Sequence, residues 1–262
     1  MTKQIDFSFA SRPLVPLAHD YQHGDSEPFH YHSCAQLIHT LSGVIRVHPR
    51  FGSWVVPPSR GVWLPAGTLH ALDITGRVAA RTLFIDPLAR ADLPASCQVV
   101  QISPLLRELI VSALSLPACW LPGSRAERIH ELILDEIRIL PALPFYLPQP
   151  QSGPLIALCQ QIQAQPGERW TVKTAAQRLN VSERTLARRF YQQTSLNFSE
   201  WIRRARLMAA LIRLAQGEPV MTVALELGYD SPSAFSAMFR RIMGIAPSDY
   251  FLAGSGCEVE KS

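Results

Sequence analysis

The stretch TVKTAAQRLNVSERTLARRFYQQT, Thr171–Thr194, decides the fold of this chain. In its first half the apolar residues recur at the three-to-four spacing of a buried helical stripe. These residues are Val172, Ala175, Ala176 and Leu179. Asn180 tolerates the left-handed conformation of a helix-ending turn, and Ser182 is a favoured N-cap for a second helix. The stretch therefore predicts two short helices joined by a tight turn.

The second helix of this stretch has one apolar face and one basic face. Leu186 and Phe190 are one turn apart and face inward. The opposite face carries Arg184, Ala187, Arg188 and Tyr191. A guanidinium can bind guanine O6 and N7 together and a methyl group can contact thymine, so this face suits the major groove of DNA. Arg189 lies off the face and suits a phosphate or a surface ion pair. An ordinary helical bundle would show the same pattern, so one copy leaves both interpretations open.

The pattern recurs near the carboxyl end of the chain. Gly228 ends a first helix whose apolar residues are Val223, Ala224 and Leu227. After one extra turn residue, Ser231 caps a second helix, in which Phe235 and Phe239 repeat the two inward residues of the first copy at an offset of 49. This internal repeat favours a duplicated DNA reader over an isolated pair of helices.

A long connecting helix is predicted between the two copies, at residues 198–216 (FSEWIRRARLMAALIRLAQ). Its expected apolar stripe is Trp201, Ile202, Ala205, Met208, Ala209 and Ile212. A rigid helix in this place would hold the two recognition helices in successive major grooves, about 34 Å apart on one face of the duplex.

The order of these elements, ending in LELGYDSPSAFSAMFRRIMGIAPSDY (Leu225–Tyr250), resembles the DNA-binding domain of the AraC/XylS family of bacterial transcription regulators. The resemblance implies base-reading positions at Arg184, Ala187 and Arg188 in the first copy and at Ser233, Ser236 and Ala237 in the second. Many relatives carry a long polar or basic side chain where this chain has Ala237, so the second copy is expected to read fewer bases. The place of Arg240 implies a phosphate contact.

The charge of the chain is concentrated in its carboxyl-terminal part. Residues 1–153 hold 12 Lys and Arg against 12 Asp and Glu, whereas 154–262 hold 13 against 9, which accounts for the whole net charge of +4. A basic second domain agrees with binding of a polyanion. The chain shows no 18-residue apolar run and no secretory leader, which predicts a soluble, cytoplasmic protein with no membrane partner. Its five scattered cysteines predict neither a disulfide framework nor a zinc knuckle.

The first part of the chain has the pattern of short strands. Apolar runs separated by Gly and Pro turns lie at 36–41, 43–47, 53–56, 61–64 and 81–85. These runs predict a small β-barrel or sandwich at about 20–95.

Two motifs in this region resemble those of the cupin family of β-barrels. They are Gly24-x5-His30-x-His32-x3-Gln36-x6-Gly43 and Pro65-x-Gly67-x2-His70. His30 and His32 are two apart on a strand and point to the same face, and His70 could join them from another strand. The resemblance implies a metal site at His30, His32, His70 and Gln36, although Gln36 stands where the family has a carboxylate.

The sequence allows three interpretations of this site. Three imidazoles can hold Zn, Ni, Cu, Co or Fe, but the missing carboxylate removes a negative charge that favours a divalent cation. Hydrogen-bonded histidines and a small-molecule pocket explain the same residues. No cofactor is therefore required, and a divalent metal is one of the alternatives.

Two helices are predicted at 102–140, before a proline-rich linker at 141–153. Their expected apolar stripes are Leu105, Leu106, Leu109 and Ile110, then Ile129, Leu132, Ile133, Ile137 and Leu140. Such stripes either pack on the barrel or form a dimer seam. A DNA-binding domain is expected at 154–252 and a loose tail at 253–262.

The sequence thus predicts a two-domain α+β protein, with a cupin-like sensor and dimerisation domain (1–140) and an all-α domain with two helix-turn-helix motifs. The expected function is a sequence-specific transcription regulator controlled by a small effector in the barrel. Its expected partners are double-stranded DNA, the effector, RNA polymerase if it is an activator, and a second copy if it dimerises. The alternative is a metal-dependent cupin enzyme, of dioxygenase or isomerase type, with an appended nucleic-acid-binding module. The regulator is favoured because no nucleophile set, paired carboxylates or phosphate-binding glycine loop accompanies the histidines.

Overall fold

The computed structural model of the chain describes residues 3–4, 12–49, 52–117, 119–138, 140, 142–143, 146–151 and 153–250. The expected tail at 253–262 lies outside these residues. The described residues fall into two compact units, within the ranges Met1–Arg50 with Val56–Pro144 and Phe51–Val55 with Phe145–Ser262. The predicted α+β organisation is confirmed, with a β-rich first part and a helical second part.

The strands of the described residues are, in chain order, β1 (Lys3–Gln4), β2 (Leu14–Tyr21), β3 (Ser26–Tyr31), β4 (Ala35–Thr40), β5 (Val44–Pro49), β6 (Ser53–Val56), β7 (Arg60–Leu64), β8 (His70–Thr75), β9 (Val78–Ile85), β10 (Gln98–Gln101), β11 (Ala142–Leu143) and β12 (Tyr146–Leu147). Strands therefore extend beyond the expected range of 20–95 at both ends. The helices are α1 (Pro104–Ala113), α2 (Arg125–Arg138), α3 (Gly153–Ala164), α4 (Val172–Arg178), α5 (Glu183–Thr194), α6 (Phe198–Ala215), α7 (Val220–Glu226), α8 (Pro232–Met243) and α9 (Pro247–Tyr250).

Two sheets form the first unit. One has the order β1-β3-β8-β5 and the other the order β11-β10-β7-β4-β9-β2. Their pairings are antiparallel except for the parallel pair of β1 and β3. Every residue of the central strand β4 is buried, including the polar Gln36, His39 and Thr40. The inner faces of the two sheets therefore enclose polar as well as apolar side chains.

Helices α1 and α2 pack against the second sheet through Leu106, Ile110 and Ile133, which join one core cluster with Leu37 and Leu83. Ser103 caps α1, since its hydroxyl accepts a hydrogen bond from the Leu106 amide at 3.0 Å.

Two residues of the predicted stripes do not belong to that core. Leu105 is 53% exposed and Leu132 is 47% exposed, whereas Leu134, outside the predicted stripe, is buried. Each outlier is adjacent in sequence to a buried residue, and one step along a helix turns the side chain by about 100°, out of the contact with the sheet.

The segment expected as a polyproline linker, 141–153, carries the short strands β11 and β12. Strand β11 pairs with β10, and β12 pairs with β6. In the second unit, Trp201 Nε1 donates to the Pro148 carbonyl at 2.7 Å and the Arg204 guanidinium donates to the Tyr146 carbonyl at 3.3 Å. Proline-rich chain is already extended, so short edge pairings of this kind cost it little conformational freedom.

Helix α6 is the centre of the second unit. It contacts α3, α5 and α7, and it therefore buries more than one stripe. Of the predicted stripe, Ala209 and Ile212 are only partly buried. The buried residues missing from the prediction are Phe198, Leu207, Ala210, Leu211 and Leu214.

None of the helices in the described part of the chain combines the length and the hydropathy that a membrane span requires.

Candidate nucleic-acid interface and barrel cavity

The first helix-turn-helix is fixed by local hydrogen bonds. The Thr171 hydroxyl accepts from the Thr174 amide, and the Thr174 hydroxyl accepts in return from the Thr171 amide, each at 3.0 Å. Asn180 has a φ of 52°, the left-handed conformation that the sequence predicts. The Ser182 hydroxyl then accepts from the Thr185 amide at 3.2 Å and begins α5.

Helix α5 buries its apolar face against α6. Phe190 is fully buried, and its ring lies edge-on to Phe198 and Trp201, with centroid distances of 5.1 and 5.8 Å. The opposite face is exposed along its length, at Arg184, Ala187, Arg188 and Tyr191. Within the described part of the chain, neither the Arg184 nor the Arg188 guanidinium has a hydrogen bond or ion pair. Arg189 is also exposed, beside that face.

The second helix-turn-helix repeats these contacts with one difference. Its turn matches that of the first copy: the Tyr229 amide donates to the Ala224 carbonyl at 3.1 Å, as the Val181 amide does to Ala176 at 3.0 Å. The turn residues of the two copies, Val181 and Tyr229, are therefore 48 residues apart in the sequence. Their N-caps, Ser182 and Ser231, are 49 residues apart. Helix α8 therefore begins one residue later than α5 does.

The outer face of α8 is small and weakly polar. Ser233 and Ala237 are exposed and Ser236 is partly buried. Arg240 is exposed in the last turn, beside Arg241. The positive charge of this helix thus lies at its carboxyl end, in contrast to α5.

A junction that the sequence did not reveal joins the two copies through Arg206 of α6. Its guanidinium donates to the carbonyls of Pro166 at 2.8 Å and Glu168 at 3.0 Å, and it lies 6.0 Å from the centre of the Tyr229 ring. Gly167 packs so closely against the second turn that a Cβ there would overlap the Glu226 carbonyl oxygen. The loop before α4 and the end of α7 are thus in direct contact.

The first unit contains a cavity of about 200 Å³ between its two sheets. Strands of both sheets line it. Its lining residues are Leu17, His19, Tyr21, Glu27, His30, His32, Gln36, Ile38, Ile45, Leu72, Ala80, Thr82 and Phe84. Both sheets therefore contribute polar and apolar side chains to the lining.

The structure brings the three sequence-predicted histidines together, and two of them, His30 and His32, line the cavity. His30, His32 and His70 are buried, and each offers a ring nitrogen within 4.8 Å of the others. His30 and His70 are directly opposite each other on β3 and β8. Gln36 lines the same cavity, and within the described residues its buried Oε1 atom has no hydrogen-bond partner.

Backbone carbonyls fix the orientation of two of these rings. The Nδ1–H of His30 donates to the Pro28 carbonyl and that of His70 donates to the Thr68 carbonyl, both at 2.8 Å. In a neutral imidazole this leaves Nε2 as the acceptor. Burial lowers the pKa of His70 to about 4, in spite of the hydrogen bond to Thr68, so this ring is neutral near pH 7.

Glu27 carries the one carboxylate among the lining residues of the cavity, and the sequence analysis missed it. One carboxylate oxygen lies 3.5 Å from His30 Nε2, and the other accepts a hydrogen bond from the Tyr21 hydroxyl. In a regular strand, residues three apart point to opposite faces. A register shift between Glu27 and His30 removes that alternation. The signal in the sequence was Pro28, because proline inside a strand often marks a bulge.

These donors fit a divalent first-row transition metal. Imidazole nitrogens and carboxylate oxygens are among the ligands that such ions take in proteins. Gln36 adds a buried oxygen without charge. The cavity therefore has the chemistry either for a metal or for a small molecule that donates hydrogen bonds.

Comparison with protein families gives one match in the β-rich part of the chain and one in the helical part. Residues 14–140 match the family described as AraC-like ligand binding domain, and residues 175–253 match the family described as Helix-turn-helix domain.

Individual proteins show the same likeness. The HTH-type transcriptional regulator NimR of Escherichia coli (strain K12) is 32% identical over 225 residues, which are 86% of this chain and 82% of NimR. Regulatory protein SoxS of Salmonella typhimurium (strain LT2) is 36% identical over 80 residues, which are 30% of this chain and 75% of SoxS. The crystal structure of ToxT from Vibrio cholerae O395 is similar over 94% of this chain and 100% of that one, with 14% identity and a TM-score of 0.39.

Proposed function

Because the chain belongs to the AraC family of transcription regulators, we propose that it reads promoter DNA with α5 through Arg184, Ala187 and Arg188. The chain is a DNA-binding regulator with an AraC-like ligand-binding domain and a helix-turn-helix domain. The observation that carries the assignment of these residues is the exposed outer face of α5. Its two guanidinium groups have no hydrogen bond or ion pair within the described residues, so no protein contact has to break before they bind base edges.

The other exposed residues of the two recognition helices have side chains that suit different parts of the DNA. Arg189 and Arg240 suit phosphates, since each is exposed beside a recognition face and not on it. Tyr191 is 60% exposed at the end of the α5 face and can donate its hydroxyl to a base or a phosphate. Ser233, Ser236 and Ala237 offer short side chains, which reach few base edges. The first copy thus supplies most of the sequence specificity.

The experiment measures affinity for duplexes selected from a random pool by the full-length protein. Arg188→Ala is expected to cost about 1–3 kcal/mol on the selected duplex and to relax the preference at one base pair. Arg184→Ala should relax a different base pair. Arg77→Ala removes an exposed arginine of the first unit and serves as the control. An equal loss on selected and random duplexes would show that these arginines contact only the backbone.

The cavity of the first unit is the proposed effector site. Its volume of about 200 Å³ suits a small effector, and its polar side chains can fix the orientation of one. The effector acts by binding one arrangement of the regulator better than another and so shifts promoter affinity. Its relatives are transcription regulators, which supports a sensing role for the histidines over a catalytic one.

This function implies a location in the cell and two protein partners. A regulator of promoters works in the cytoplasm, next to the chromosome. If it is an activator, it contacts RNA polymerase. The exposed leucines of α1 and α2, Leu105 and Leu132, support pairing of two copies through these helices.

A further inference from the structure

A second cavity of the first unit lies at the start of α2, and it shares no lining residue with the cavity between the sheets. Its volume is about 410 Å³. Arg12, just before β2, and Asp86, just after β9, line one side, where the Asp86 amide donates to the Pro13 carbonyl at 3.0 Å. Trp120, in the loop before α2, and one face of α2 also line it. Three separate parts of the chain therefore build this cavity.

His130 is the buried polar side chain of this lining, with 1% of its surface exposed. Its Nδ1–H donates to the Ala126 carbonyl at 2.7 Å, which leaves Nε2 as an acceptor. Burial lowers the pKa of His130, so the ring is neutral near pH 7. Within the described residues, its Nε2 has no hydrogen-bond partner. The cavity thus contains a buried acceptor that an N–H group of a ligand would satisfy.

Trp120 lies directly against this imidazole. The two rings are stacked, with their centroids 4.4 Å apart and their planes 22° apart. An indole ring attracts a nearby cation through the negative charge density of its face. The stacked pair therefore provides an acceptor nitrogen and an aromatic surface in the same cavity.

The charge of the lining also favours a cation. Asp86, Glu127 and Glu131 contribute three carboxylates and Arg12 contributes one guanidinium, so negative charges exceed positive charges by two. His130 and Glu131 follow Glu127 by three and four residues on α2, so all three lie on one face of the helix. A cation that donates to the imidazole is therefore close to carboxylates.

The carboxylates of this cavity keep oxygen atoms for a ligand. Asp86 uses one oxygen to accept from the Leu88 amide at 2.8 Å, and Glu127 uses one to accept from the Gly123 amide at 2.5 Å. In the part of the chain that the structure describes, neither they nor Glu131 form an ion pair with a basic side chain. An ammonium group supplies both a positive charge and several N–H donors, which suits unpaired carboxylates beside an imidazole acceptor.

We propose that this cavity binds an aliphatic amine with two or more ammonium groups, one of which donates a hydrogen bond to Nε2 of His130. Two positive charges balance the excess negative charge of the lining. The volume admits a chain of several carbons together with water. The site goes beyond the proposed function, since neither α5 nor the cavity between the sheets contributes to it.

The test is calorimetric titration of the full-length protein, without DNA because cationic amines bind duplexes themselves. The probes are 1,4-diaminobutane, 4-amino-1-butanol and 1,4-butanediol, which have the same number of heavy atoms and two, one and no positive charges. We expect one equivalent of the diamine per chain and a weaker affinity at each step of the series. Equal affinity for the diamine and the diol would overturn the proposal, as would binding of butanedioate in place of the diamine.

Variants of the lining locate the site. His130→Phe keeps a ring against Trp120 but removes the acceptor, and it should weaken diamine binding about 10-fold or more. Glu131→Gln, at an exposed residue, should weaken it about 2-fold to 5-fold, and Arg12→Gln should strengthen it by a similar factor. Glu108→Gln removes the same charge from an exposed position of α1 outside the cavity and should leave binding unchanged.

The opposite signs expected for the two charge variants keep the proposal falsifiable if circular dichroism shows that His130→Phe does not fold. Equal losses in Glu131→Gln and Glu108→Gln would show general attraction to an acidic surface and would overturn the site. DNA binding is measured separately, and Arg188→Ala should leave diamine binding unchanged. A chain that prefers its selected duplex but binds no diamine overturns this inference and leaves the promoter-reading role of α5 intact.

Discussion

At the scale of single residues, His39 couples the stability of the first unit to pH. Its Nδ1–H donates to the Arg60 carbonyl at 2.9 Å, and the ring is almost fully buried. Burial lowers the pKa of His39 to about 4, and the charges of Arg107 and Arg81 lower it too. The unfolded chain takes up this proton near pH 6.5, so the folded state loses relative stability as the pH falls from about 6.5 towards 4.

We therefore expect the free energy of unfolding to decrease by about 1–3 kcal/mol between pH 7 and pH 5 through this histidine. Urea denaturation at both pH values measures it. His39→Asn should lower the stability at pH 7 but reduce the loss between the two pH values. A loss of the same size in His39→Asn would assign the acid sensitivity to other groups, among them His70, whose pKa is lowered to about 4 by burial.

Arg240 carries a different prediction at this scale. Because it is exposed at the carboxyl end of α8, we expect Arg240→Ala to weaken binding to selected and random duplexes by similar factors. The dependence of log affinity on log salt concentration should also become shallower by about 1. Fluorescence anisotropy at several salt concentrations checks both. A defect restricted to one base pair would place Arg240 at a base edge instead.

At the scale of elements, the junction around Gly167 should be intolerant of side chains. Gly167→Ala forces a methyl group into the Glu226 carbonyl, so the backbone of the loop or of α7 has to move. We expect a loss of about 1–3 kcal/mol in the stability of the second unit. Thermal unfolding of the full chain measures it. Gly153→Ala is the matched control, since nothing lies within 4 Å of a Cβ there.

The two recognition helices should also differ in the number of base pairs that they recognise. Randomising the base pairs under α8 is expected to cost less affinity than randomising those under α5, because Ser233 and Ala237 have short side chains. Competition with duplexes randomised in one half at a time tests this. Equal costs would show that α8 reads the shape of the DNA or makes contacts through other residues.

Local chemistry explains which elements were predictable. The helix-turn-helix copies were found because caps such as Ser182 and turn residues such as Asn180 act within four residues of the backbone they satisfy. Glu27 was missed because its direction depends on a register shift against β8, which is 40 residues or more away in sequence. Leu105 was misplaced because the edge of an apolar stripe is decided by what packs against it.

At the scale of the whole molecule, we expect two copies of the chain to form a dimer. Leu105→Glu combined with Leu132→Glu should convert a species of twice 29.2 kDa into one of 29.2 kDa in analytical ultracentrifugation. Leu88→Glu, at a leucine that is 92% exposed, should leave the mass unchanged. A wild-type chain that sediments at 29.2 kDa at all working concentrations would remove the hypothesis.

The two helix-turn-helix copies are not identical, since one extra residue precedes Ser231. Since α8 begins one residue later than α5 relative to its own turn, and the two helices carry different side chains, the two ends of one bound chain are not interchangeable. If both helices contact one duplex, as we propose, a bound chain has two unlike ends, and reversing the site relative to the start of transcription presents a different surface to a protein bound next to it.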